Sequence, residues 1–265
     1  YFIDGGNNRV ILATDGDLNV GLSSESELTR LIEEKRESGV FLSVLGFGTG
    51  NYKDNRLEAL ADYGNGNYSY IDSEKEAKKV LVDEMSGTLF TVAKDVKFQL
   101  EFNPANVKGY RLIGYENRVM AAEDFNDDTK DAGEIGAGHS VTVLYEIVPA
   151  DSKMELGESE LKYASDSEGV MGDELLTVNI RYKEPEGSES KLLTYPVNKS
   201  LYSDKMSADM NFASCVAEFG MLLRNSRYIG DVTYKDVSAQ LSKYDYSDDD
   251  YKDEFIYLEK LCGNV

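Results

Sequence analysis

Two hydrophobic periods alternate along the first third of the chain. Val10, Ile11, Leu12 and Ala13 form an unbroken apolar run, which marks a short strand covered on both faces, as in a parallel sheet flanked by helices. Leu28, Leu31 and Ile32 recur at helical spacing behind Ser24 and Ser26; either serine can cap that helix, and Ser38 with Gly39 closes it. The run from Val40 to Leu45 predicts a second buried strand. Leu57, Leu60 and Ala61 predict a short helix facing the same core, and Tyr68 to Ile71 a third, shorter strand. Ser73 and Glu76 have capping-box spacing and open a helix through about Met85, ended by Gly87. The order β-α-β-α-β-α predicts the back half of a doubly wound sheet. The first strand is then left with a raw edge unless further strands are supplied.

Beyond Leu89 the period changes to two. Val96, Phe98, Leu100 and Phe102 alternate with Asp95, Lys97, Gln99 and Glu101; Leu176, Val178, Ile180 and Tyr182 alternate with Thr177, Asn179, Arg181 and Lys183. Such strands have one buried and one wet face. With further strands at Tyr110 to Tyr115 and Val141 to Ile147, the pattern predicts an antiparallel β-sandwich, and Glu184 to Glu189 reads as a turn. From about Met206 the spacing is helical again. Phe212, Val216, Phe219, Leu222 and Leu223 form one stripe with Cys215 beside it. Thr233 and Asp236 can cap a helix carrying Val237 and Leu241. Asp248, Asp249 and Asp250 suit the start of another, lined by Tyr251, Phe255, Leu258 and Leu261. The expected fold class is therefore α/β (a partial Rossmann-like doubly wound sheet) over residues 1–87, an antiparallel β-sandwich over 88–200 and a small helical region over 201–265.

Charge narrows the function. Lys plus Arg total 28 against 49 Asp plus Glu, a net charge of −21. That excess repels phosphate backbones and anionic lipid surfaces, so nucleic acid is not an expected partner. No apolar run is long enough to span a bilayer. The two cysteines, Cys215 and Cys262, make neither a disulfide framework nor a zinc site; they read as buried free thiols, with a single bridge between C-terminal helices as the alternative.

Among candidate chemical groups Asp15 stands out. It follows the first strand directly, at the edge where open α/β sheets bind ligands, and Gly16 lets the chain turn there. A strand-end Asp can also simply cap the next turn. Gly46, Gly48 and Gly50 lack the spacing of a dinucleotide loop and read as a turn leaving the sheet. Asp124, Asn126 and Asp128 imitate the start of an EF-hand, but Thr129 and Ile135 occupy positions that need Gly and Glu, so a polar turn is expected. His139, the only histidine, has no ligand partners nearby in sequence and is expected to be structural. No Gly-x-Ser-x-Gly elbow or nucleophile constellation occurs. The chain is expected not to be an enzyme. A metal-assisted hydrolase using Asp15 and Asp17 is the competing enzyme reading, and it is short of ligands.

The stretch around Asp15 resembles the strand of von Willebrand factor type A (VWA) domains that carries the last ligand of a metal-ion-dependent adhesion site. KGYRLIGYENR at 108–118, EDFNDD at 123–128, DAGEIGAGHSV at 131–141 and the segment from Phe219 to Arg224 are similar to bacterial VWA proteins of the YfbK type. The likeness spans nearly the whole chain. It implies a non-catalytic, divalent-cation-dependent protein-binding module, for adhesion or scaffolding. Asp15 would be a metal ligand, with Thr14, Gly16 and Asp17 supporting its loop. The implied cation is Mg²⁺ (or Mn²⁺ or Ca²⁺), and a partner's acidic side chain would complete its coordination. The resemblance also implies an extracytoplasmic place in the bacterial envelope, commonly through an N-terminal lipid anchor. A VWA metal site takes further ligands from an upstream Asp-x-Ser-x-Ser loop and a separate Thr. Only eight residues precede Arg9, and they supply neither, so an N-terminally truncated fragment with weak or absent cation binding is expected. A metal-independent structural or assembly component is the alternative.

Overall fold

The fold was taken from a computed structural model, which describes residues 2–4, 6–15, 25–48, 54–85, 87, 90–115, 118–130, 132–155, 172–185 and 187–263. They divide into two compact units. One draws on 1–101, 120–142 and 176–196; the other on 102–119, 143–175 and 197–265. The chain is a mixed α/β protein.

In the first unit, β1 (Asn8–Thr14), β2 (Val40–Phe47) and β3 (Tyr68–Ile71) form a three-stranded sheet in that order, parallel throughout. Successive side chains of β2 serve opposite faces. Val44 packs with Ile32 of α1 (Glu25–Glu37) and with Leu57, Leu60 and Ala61 of α2 (Asp54–Tyr63). Leu45 packs on the other face with Ile71 and Val80, joined by Ala77 of α3 (Glu74–Lys78). Helices thus pack on both faces at β2, as its continuous apolar run requires.

Three local expectations need correcting. Leu31 is 40% exposed; only Leu28 and Ile32 of its trio reach the core. The helix after Ser73 is not a single α-helix to Met85. Ser73 accepts a hydrogen bond from the Glu76 N–H at 3.2 Å, but α3 passes into a π-helical turn over Lys79–Asp83 that swings Val80 inward. β1 is not covered on both faces: among the described residues it pairs only with β2, and Val10 and Ile11 are exposed.

The described strands between Thr91 and Asn198 fall into two sheets. A four-stranded sheet has the order β6-β4-β8-β9, from β4 (Thr91–Phe102), β6 (Gly133–Gly136), β8 (Glu174–Lys183) and β9 (Ser190–Asn198). A separate antiparallel pair joins β5 (Val107–Ile113) and β7 (Leu144–Pro149). The wet-face assignment of β4 also changes: Lys97 is buried and Phe98 exposed. Val96 is buried and Glu101 exposed, as the alternation expects; the φ of +51° at Asp95 and the slip in β4–β6 pairing between Ala93 and Val96 mark a bulge just before this run.

Among its described residues the second unit carries three α-helices, α4 (Ala208–Leu223), α5 (Tyr234–Leu241) and α6 (Asp250–Gly263). Cys215, Val237, Leu241 and Tyr246 form its core, with Phe212, Phe219, Leu222, Phe255 and Ile256 packed around them. Phe255 meets Phe212 and Phe219 edge-on, each at 5.3 Å between centroids. Val216 and Leu223, assigned to the inner stripe of α4, are exposed, as are Tyr251, Leu258 and Leu261 of α6. The inner stripe instead runs through Phe212, Cys215, Phe219 and Leu222. Thr233 and Asp236 form the expected capping box on α5.

Candidate functional site

The C-terminal ends of β1, β2 and β3 are in step. Thr14 pairs with Gly46, Gly46 with Tyr70, and Phe47 with Ile71. Asp15 leaves β1 at this rim and is exposed, while Thr14 is half-buried. Across from it Gly48 turns the chain away from β2 with φ +101°, and a Cβ placed there would lie 3.8 Å from the Asp15 Cβ. A side chain at Gly48 would be strained by that φ and would lie in van der Waals contact with Asp15. The Tyr70 hydroxyl donates to the Gly48 carbonyl, tying the end of β3 to this turn. Asp72, next along, is exposed. The rim therefore gathers one carboxylate at the end of β1, a glycine turn beside it and a tyrosine that holds the turn.

Gly16 and Asp17, expected to support the Asp15 loop, lie outside the described residues, as do Thr49 and Gly50 of the glycine turn. Among the described residues no group of three or more His, Cys, Asp or Glu side chains could hold a metal ion. One carboxylate does not retain Mg²⁺ against water. The residues described at the rim therefore do not amount to a cation site.

The acids of EDFNDD are committed elsewhere. Lys97 donates to the carbonyls of Asp124 and Asp127, at 3.1 and 2.5 Å. Lys183 donates to the Asp128 carbonyl at 2.9 Å and to the Asp95 carboxylate at 2.6 Å. The Asp128 carboxylate accepts from Ser190 at 2.5 Å and from Arg181 at 3.0 Å. These two bonds, the serine's first, bring the Asp128 pKa down to about 2. Asp127 closes its own turn by accepting from the Thr129 hydroxyl at 2.7 Å, which lowers its pKa. The segment is a polar clasp on the four-stranded sheet, not a calcium loop. Lys97 and Lys183 were assigned to wet faces by period alone. Each interrupts its strand with a cation that donates to backbone carbonyls of the turn, Lys183 meeting the Asp95 carboxylate of β4 as well, contacts that no local spacing reveals.

His139 is exposed, its ring beside Gly87. Both cysteines are free, Cys215 fully buried and Cys262 partly so. Burial pushes the Cys215 thiol up to about 11, so it is inert packing rather than a nucleophile. Two further buried polar groups in the helical unit escaped sequence reading. Glu259, fully buried, accepts from the Ser238 hydroxyl at 2.7 Å. Asn211 donates to the Gln240 carbonyl and the Tyr246 hydroxyl. Both act between helices.

A family model described as "Uncharacterized protein YfbK, C-terminal" matches residues 87–265. The Escherichia coli (strain K12) protein described as "Uncharacterized protein YfbK" is 44% identical over 269 residues, covering 100% of this chain and 46% of that protein. The chain thus spans about half the length of this relative. Among solved structures, a von Willebrand factor type A protein from Catenulispora acidiphila aligns with TM-score 0.35 and 15% identity, covering 89% of this chain and 54% of the other. The human COPII-coat protein Sec24c aligns with TM-score 0.39 and 13% identity, covering 89% and 32%. Structural likeness this distant carries no argument about this chain.

Proposed function

The chain belongs to the YfbK family, and from that premise we propose that it works as a non-catalytic protein-binding module whose partner docks on the C-terminal rim of β1, β2 and β3. The observation that carries this reading is the placement of Asp15, exposed at the end of β1 beside the Gly48 turn. Open α/β sheets take their ligands outside the carboxyl ends of their strands. The VWA resemblance of the same stretch supports the choice of a protein partner. It also supports an extracytoplasmic, lipid-anchored setting in the bacterial envelope, which we propose by analogy. No helix among the described residues is long and apolar enough to cross a membrane.

The resemblance further brings a cation-dependent grip on a partner's acidic side chain. Electrostatics gives such a cation a purpose, since a chain of net charge −21 repels an acidic group unless a positive charge stands between them. Asp15 would supply one oxygen to Mg²⁺. Asp72 follows β3 at the same rim, and among the described residues the donor set falls short of a site. That shortfall favours a second reading, in which the rim docks its partner without metal.

Affinity capture from envelope extracts, with wild-type protein and Asp15→Ala, in Mg²⁺ and in EDTA, tests both. A partner held by wild type in both media and lost with Asp15→Ala supports the metal-independent rim. A partner released by EDTA supports the cation. A partner held equally by wild type and Asp15→Ala would remove the rim from the account.

A further inference from the structure

At the opposite end of β1 lies a small polar cleft lined by Arg9, Asn65, Asn67, Thr91, Glu134 and His139. Its room for water-sized groups is 40 Å³, which at ~10–15 Å³ each accommodates about three waters or one compact polyatomic ion. One wall is bare backbone. A Cβ on Gly136 would come 1.6 Å from the Gly87 carbonyl oxygen, and one on Gly87 would come 1.7 Å from the His139 ring. The two glycines therefore let the segments close on each other and bring the imidazole to the cleft.

Arg9 is the group out of balance. One terminal nitrogen donates to the Ser43 hydroxyl at 2.9 Å, and the guanidinium lies 5.6 Å from the centre of the Phe41 ring. Its Nε is buried with no hydrogen-bond partner. Burial pulls the guanidinium below its ordinary pKa, and Glu134 only counters this at a distance. A cation taken out of water without a bonded counter-charge is costly, and a bound anion removes that cost. Guanidinium presents its donors in a planar fork that matches two oxygens of one acid. Asn67 and Thr91 add neutral polar groups at the same place.

We propose that this cleft binds a small oxyanion, a carboxylate or phosphate group, on the guanidinium of Arg9. Glu134 sets the limit on affinity, because its carboxylate faces the same cleft and repels the guest. The site stands apart from the rim at Asp15 and does not depend on how that rim is used.

The test is titration of the 265-residue chain with inorganic phosphate and, separately, acetate, at constant ionic strength with chloride as control, following the Arg9 Nε–H resonance by NMR. A saturable shift with either oxyanion, absent with chloride, is expected; phosphate alone identifies a phosphate site and both identify a general oxyanion site. Arg9→Gln should weaken binding by about tenfold or more, the loss of one charge-assisted contact. Glu134→Gln should tighten it several-fold, and this variant leaves Arg9 in place should Arg9→Gln fail to fold. No saturable shift with either anion, or a Glu134→Gln protein that binds no better than wild type, overturns the proposal.

Discussion

Lys183 Nζ and Asp95 Oδ2 meet at 2.6 Å, with the two side chains only 11% and 16% exposed. The pair joins β8 to β4 at the point where Asp95 adopts φ +51°. Removing one partner strands a buried charge, so Asp95→Ala should cost about 3 kcal/mol. Asp95→Asn should cost less, since Asn tolerates the same backbone region and can still accept from the lysine. Urea denaturation of the two variants checks this. Equal losses would show that the charge, absent from both variants, sets the whole cost, and that the backbone preference and hydrogen bond Asn retains contribute nothing.

Asp128 gives a pH signature. Its pKa lies at about 2 because Ser190 and Arg181 donate to its carboxylate. A carboxyl group depressed on folding contributes stability in full above its ordinary value of about 4, and loses it as pH falls from there towards about 2. Ser190→Ala removes the leading donor. The Asp128 carboxyl carbon, followed by NMR, should then titrate nearer the ordinary carboxylate range, and the clasp should release at a higher pH. An unmoved titration would contradict the assigned hydrogen bond.

How much of this was legible in the sequence depends on how local each signal was. The three parallel strands and α2 were readable because the apolar runs of β1 and β2 are unbroken and Leu57, Leu60 and Ala61 fall on one helix face. In β4 the period-two reading placed Val96 and Glu101 correctly but not Lys97 and Phe98: the buried lysine finds its acceptors in the distant turn at Asp124 and Asp127, which local period cannot show. β6 and β9 were missed, the first for its glycines and the second because Leu192, Leu193 and Tyr195 are all exposed on an edge strand. In α4 the long apolar run allowed several stripes, and only packing against α5 and α6 selects the one through Cys215. Of the candidate site, Asp15 and its strand end were legible, whereas the Tyr70 bond to Gly48 depends on two strands meeting and was not.

The capping box of α5 is a local feature with a local cost. Thr233 accepts from the Asp236 N–H while the Asp236 carboxylate accepts from the Thr233 N–H at 2.9 Å. Thr233→Ala should destabilise the helical unit by about 1 kcal/mol. A thermal melt followed by circular dichroism measures it, and no change would mean that the core around Val237 alone fixes the start of α5.

The two thiols should separate by reactivity. At about pH 8, a thiol reagent should modify Cys262 quickly, because it is partly exposed, and Cys215 only on unfolding, because burial holds its thiol protonated. Cys262→Ser should abolish the fast phase. Two fast thiols would contradict the packing of α4.

The central claim is that the Asp15 rim is the docking surface. Hydrogen exchange of the chain with its captured partner, against the chain alone, tests it most directly. The account predicts protection concentrated at Thr14 and Asp15, Phe47 and Gly48, and Tyr70 to Asp72, lost in Asp15→Ala. Protection that falls elsewhere while these residues exchange unchanged would contradict it.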